Sequence, residues 1–182
     1  MEKGKLIFTH PTGSGTLSKN LMDWVNRMGF LTAEVVGKFE SEQDTSKLLY
    51  APLEQAATFR KSRVYQIEYD GTLDQARSFV LKSLVDRYAE EVSFSEESYY
   101  KNFKFYIDYG MKPGALDLER EAIISSQKNS NVSEFKLLNL ELSQRIYIFS
   151  DPEVAPEPFV RDVCNPAIHV WSVTDADGRK VA

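Results

Sequence analysis

Lys82-Ser83-Leu84-Val85-Asp86-Arg87-Tyr88-Ala89-Glu90-Glu91-Val92-Ser93-Phe94 can be laid without a gap on Arg161-Asp162-Val163-Cys164-Asn165-Pro166-Ala167-Ile168-His169-Val170-Trp171-Ser172-Val173. Each run passes from the end of a helix through a turn into a strand. Identities are few, so the likeness is one of architecture more than of sequence.

Working outward, the same order of elements precedes each run. Before the first, Arg63 to Tyr69 alternates apolar and polar residues as a half-buried strand does, and Asp70-Gly71 ends it with turn chemistry. Thr72 caps a helix whose apolar stripe is Ala76, Phe79, Val80, Leu84 and Val85. Further upstream, Lys5 to His10 reads as a strand, and Pro11 to Thr16 as a turn. A helix carrying Leu17, Leu21, Trp24, Val25 and Met28 follows and ends near Gly29, and Leu31 to Phe39 is the next strand. The stretch 41–61 is an insertion, with a short helix placed between Lys47 and Lys61.

Before the second run, Phe103 to Asp108 is a strand with Phe103, Phe105 and Ile107 on one side. Tyr109 to Asp117 is a Pro/Gly turn opening a helix through Leu118, Ala122, Ile123 and Ile124. Val132 to Leu142 and Gln144 to Phe149 read as a hairpin-like pair of strands. Pro156 and Pro158 start a helix through Phe159, Val160, Val163 and Cys164, since a missing amide hydrogen costs nothing in a first turn. Ile168 to Val173 closes the chain as a strand. The predicted fold is α+β: two tandem ferredoxin-like β-α-β-β-α-β units, 1–97 and 98–182.

Composition fits a folded chain with a real core: of 182 residues, 42% are hydrophobic and 27% charged. The net charge of −5 and the lack of a clustered basic face argue against nucleic-acid binding. No run of 18 apolar residues suggests a membrane span, and a cytoplasmic location is expected. The single cysteine, Cys164, excludes an internal disulfide and reads as a small buried apolar residue. His10 and His169 lack neighbouring ligands at metal spacing, and no metal site or catalytic set is predicted. Gly13-Ser14-Gly15 lies between a strand and a helix and is a candidate anion site built from backbone amides; it lacks the lysine of a phosphate-binding loop. Glu90-Glu91, Glu96-Glu97, Glu119, Glu121, Asp151 and Glu153 read as a solvated face. In the adjacent pair Tyr99-Tyr100, strand alternation places one ring on the opposite face, where a partner could bury it.

Two motifs carry a family likeness. Lys112-Pro113-Gly114-Ala115-Leu116-Asp117 resembles a Lys-Pro-Gly-Val-Leu-Asp turn after a first strand, and Val163-Cys164-Asn165-Pro166-Ala167-Ile168 resembles a Leu-Ala-Asn-Pro-Val-Ile helix end. Both belong to the PurS family, the small non-catalytic subunit of phosphoribosylformylglycinamidine synthase in purine synthesis, and residues 103–176 resemble it. Val36-Gly37-Lys38-Phe39 is similar to that family's Val-Gly-Lys-aromatic stretch in its second strand, whereas the second half has Leu138-Asn139 there.

The resemblance implies a fused pair of PurS-like repeats packed as a pseudo-dimer. It implies a chain that bridges the synthase's ATP-dependent ligase subunit and its glutaminase subunit, with self-association also open. ATP and magnesium would then belong to the ligase subunit, and no cofactor to this chain. Lys38, Lys112, Pro113, Gly114 and Asn165 would be interface positions, joined by Tyr99 and Tyr100. The alternative from another class is a tandem, ACT-like module binding a small metabolite between its halves. A stand-alone enzyme on the same fold would need a convergent polar cluster.

Overall fold

The computed structural model describes residues 28–129 and 135–181. In chain order these form β1 (Met28–Gly37), β2 (Gln43–Asp44), a 3-10 turn (Thr45–Lys47), β3 (Thr58–Asp70), α1 (Leu73–Ser83), β4 (Glu90–Ser93), β5 (Phe105–Met111), α2 (Leu118–Asn129), β6 (Lys136–Phe149), α3 (Glu157–Val163) and β7 (His169–Asp175). The fold is α+β. One antiparallel sheet runs in the order β4-β1-β3-β6-β5-β7, with the short β2 beside β3.

Side chains alternate across a strand, so a period of two sorts residues between the faces. One face carries Leu31, Ala33, Val35, Tyr65, Ile67 and Leu140, packed under Ala76 and Val80 of α1, Leu84 at its C-terminal cap, and Ile123 and Ile124 of α2. The same face continues through Phe59, Phe105, Ile107, Ile146, Ile148 and Val173, packed under Phe159 of α3 and Leu49 from the segment after the 3-10 turn. All three helices therefore share one side of the sheet. The Thr72 cap is made as expected: its hydroxyl accepts from the Gln75 amide while the Gln75 side chain accepts from the Thr72 amide.

Several expectations are corrected. Strand β1 starts at Met28, so the helix expected to end near Gly29 does not include Met28; its other residues, and the strand expected at 5–10, lie outside the described residues. Gly29 serves the sheet instead, because a Cβ there would stand 2.5 Å from the Tyr69 ring. No α-helix forms between Lys47 and Lys61; after the 3-10 turn, β3 already begins at Thr58. The expected hairpin is one 14-residue strand, β6, with residues 132–134 outside the described part. Ser143 pairs with Val64 on one side and Gly110 on the other, and a turn there would break both ladders. Among the described residues the second half thus runs β-α-β-α-β rather than β-α-β-β-α-β. None of the helices among them is long and apolar enough to cross a membrane.

Candidate functional site

The helix-free face carries the charge. Glu34 of β1 is only 2% exposed, yet each of its oxygens is paired. Ser62 and Tyr147 hydroxyls donate to Oε1 at 2.6 and 2.5 Å, and Arg145 Nη1 and the Tyr99 amide donate to Oε2, both at 3.1 Å. The Arg145 guanidinium also forks onto Asp108 at 2.7 and 2.8 Å and lies 4.1 Å from the centre of the Tyr106 ring. Burial works against the Arg145 cation, but the Asp108 hydrogen bonds and charge, with Glu34, overcome it and hold the group above its ordinary value. Burial, then the Glu34 carboxylate, push the Tyr147 phenol well up. These charges are consumed by one another and by the chain, as a buried ion network requires.

The linker between β4 and β5 crosses this face. The Tyr99 hydroxyl donates to Glu91 of β4, and the ring of Tyr100 stands edge-on to Tyr147 at 5.1 Å and lies 5.0 Å from the Arg60 guanidinium. Tyr99 and Tyr100 pack edge to face on one side of the sheet, 5.0 Å apart. Strand alternation does not separate them, because this segment is not a strand.

The residues singled out at the turns occupy two equivalent places. The Lys38 amide donates to Ala89 O and its ammonium to Arg87 O; the Lys112 amide donates to Ile168 O and its ammonium to Pro166 O. The turns these lysines close match as well. The Asp86 amide donates to Glu90 and the Asn165 amide to His169 Nδ1, while Asp86 Oδ1 accepts from Tyr88 N and Asn165 Oδ1 from Ala167 N. The gapless alignment of 82–94 with 161–173 is therefore reproduced in the turn, save that the Ala89 amide donates to Asp86 Oδ1 and its counterpart Ile168 to Asn165 O. It also reassigns Lys38: its counterpart is Lys112 at the end of β5, and not a residue of β6 near Leu138-Asn139. Lys112 and Asn165 come together at one end of the sheet, with Pro113 and Gly114 exposed beside them; Gly114 has φ +87°, which suits glycine. Lys38 belongs to the other half. Gly13, Ser14 and Gly15 lie outside the described residues.

Over β5, β6 and β7 the helix-free face is open as a groove of about 640 Å³. Its floor offers Ser143, Ser172, Thr174, Gln66 and the exposed carboxylate of Glu141, and the turn at Lys112–Asp117 forms a rim. Arg120 on that rim is spoken for, donating to Leu140 O, Asn139 and Glu121. What the groove can do is bind by hydrogen bonds. Among the described residues no group of three His, Cys, Asp or Glu side chains is placed to hold a metal.

Glu34, Asp108, Arg145 and Tyr147 were not singled out from the sequence. The available signal was a lone acid inside each apolar strand: Glu34 between Ala33 and Val35, Asp108 between Ile107 and Tyr109. Five acids read as solvated are engaged too, among them Glu97 with Lys101 and Glu121 with Arg120, at 2.8 and 2.9 Å. Glu90 and Glu119 pair with Arg63, at 2.5 and 3.7 Å, and Glu91 holds Tyr99. The chain matches no protein-family model, no curated protein and no solved structure.

Proposed function

We propose that the chain is a non-catalytic PurS-type subunit of phosphoribosylformylglycinamidine synthase. In this reading it is a tandem of two diverged PurS-like repeats folded back as a pseudo-dimer, which bridges the ATP-dependent ligase subunit and the glutaminase subunit in the cytoplasm. The observation that carries it is the duplicated turn: the same donors and acceptors surround Lys38 and Lys112, and the two halves meet strand to strand through β3 and β6. Two PurS-like copies pairing would meet in this way, and the exposed turns at each end are the surfaces offered to the larger subunits. The motifs Lys112–Asp117 and Val163–Ile168 supply the family likeness that points to purine synthesis.

The test is reconstitution. Added to separate ligase and glutaminase subunits, the chain is expected to co-elute with them and to restore amidine formation from glutamine while leaving the reaction with free ammonia unchanged. Full glutamine-dependent activity without the chain, together with failure to co-elute, would exclude this role. The groove favours a second reading, an ACT-like metabolite-binding module; thermal stabilisation by an amino acid or nucleotide in the absence of synthase subunits would select it.

A further inference from the structure

Among the described residues the helix-free face carries one seat twice, filled in one half and open in the other. Glu34 lies between Val64 and Ser93 across its two strand pairings, and Asp108 lies in the same way between Arg145 and Ser172. Each acid stands four residues before the lysine that closes the next turn, Lys38 or Lys112.

In the first half the linker fills the seat. Its Tyr99 amide reaches Glu34, its Tyr99 hydroxyl reaches Glu91, and its Tyr100 ring lies by Arg60 and Tyr147. The same strand positions in the second half are held by Asp108, Val170, Glu141 and Gln66, and all four line the groove. As far as Val181 the described chain leaving β7 does not cross them, although Lys180 lines the groove's edge. It turns through Asp175–Arg179 and returns beside β7, where the Val181 amide donates to Val173 O.

We propose that the groove is a docking seat for a short segment of a partner protein in which an apolar or aromatic side chain is followed directly by a basic one. The differences between the two seats set this choice. Where Glu91 accepts a phenol, the open seat has Val170, 47% exposed, which suits a ring or an aliphatic side chain without a polar tip. Where Arg60 lies over Tyr100, the open seat has the exposed carboxylate of Glu141, which suits a cation. Asp108 takes the place of Glu34: each of its oxygens accepts one bond from Arg145 and keeps capacity for a main-chain amide. Gly110 stands where the first half has Val36, and it carries no side chain because the Leu142 carbonyl comes close to it. The inference does not depend on service in the synthase.

The probe is a fluorescein-labelled peptide of linker residues 98–104 carrying Tyr99→Phe, Tyr100→Lys, Lys101→Ser and Lys104→Ser, titrated with the full chain and read by fluorescence anisotropy against the same peptide with Tyr100 unsubstituted. The Tyr100→Lys peptide is expected to bind saturably and about fivefold more tightly than its Tyr100 counterpart, the size of one partly exposed ion pair. In the Glu141→Arg chain the order of the two peptides should reverse. Glu141 is exposed, so this variant keeps its fold, which circular dichroism checks; Val170→Asp, tested in parallel, should weaken both peptides. No saturable binding, or an order that Glu141→Arg leaves unchanged, overturns the proposal. So does saturable binding that neither variant alters.

Discussion

Replacing Arg145 with methionine removes the one cation that Glu34 and Asp108 share. Glu34 then keeps its Ser62, Tyr147 and Tyr99 donors but loses its counter-ion in a site almost closed to water. Breaking a buried ion pair by deleting one partner costs about 3–5 kcal/mol. The Asp108 side chain is 23% exposed and can recover some hydration, which favours the lower end, about 3–4 kcal/mol. A domain has only about 5–15 kcal/mol to lose. With a urea slope of about 2 kcal/mol/M, the unfolding midpoint should fall by about 1.5–2 M. A second variant isolates the pair. Glu34→Gln keeps the side chain's shape without its charge, so the double variant should be about 1–2 kcal/mol more stable than the sum of the two single losses. A loss under about 1 kcal/mol for Arg145→Met, or strict additivity, would refute the view that this network fastens the two halves and the linker.

Lys38→Met and Lys112→Met should each cost about 1 kcal/mol by urea denaturation, and by similar amounts, because each removes a charged donor from one turn carbonyl. Gly110→Ala should lower stability by about 1–3 kcal/mol, since a Cβ there stands 2.8 Å from the carbonyl oxygen of Leu142 in a central ladder. Burial pushes the Cys164 thiol up to about 11, so a disulfide reagent at mildly alkaline pH should label the protein only after urea unfolding. Burial raises Tyr65 to about 12, and the hydrogen bond to Glu91 raises Tyr99 to about 12. A phenol raised above its unfolded value of about 10 contributes stability that is complete below that pH and lost as pH climbs toward 12. Urea midpoints measured at about pH 9 and about pH 11 should therefore drop between the two.

The elements that alternation or capping specify were legible. The α1 cap at Thr72, the stripe Ala76-Val80-Leu84, the stop at Asn165 and the burial of Cys164 all follow from local chemistry, and the structure has each of them. What local chemistry could not decide was whether a polar residue in an apolar run breaks the strand or is paired within the sheet. Ser143 looked like a turn and is the middle of β6, because strands on both sides satisfy its backbone. Leu138 is 42% exposed while Leu137 joins the core, since the pairing with β3 shifts register there. The charged network was illegible for a related reason. Glu34 and Arg145 lie 111 residues apart, and only the order β1-β3-β6-β5 brings them together.

That network also shows what one chain with matching acids on β1 and β5 can do that two identical subunits cannot. Glu34 and Asp108 hold the same position in their halves, but the counterpart of Arg145 is Val64. In a pair of identical chains an arginine at that position would occur on both sides of the seam, opposite Ser62 and Ser143 alike. Each carboxylate would then have its own cation, and two guanidinium groups would have to be desolvated at the joint. One chain can keep a single arginine and let it serve both acids. The remaining excess of negative charge is met by the Ser62 and Tyr147 hydroxyls and by the Tyr99 amide, a donor that the linker brings to the first half alone. The asymmetry that closes one seat is thus tied to the charge balance at the seam, and the other seat, with Asp108 satisfied by Arg145, is left uncovered by the described residues.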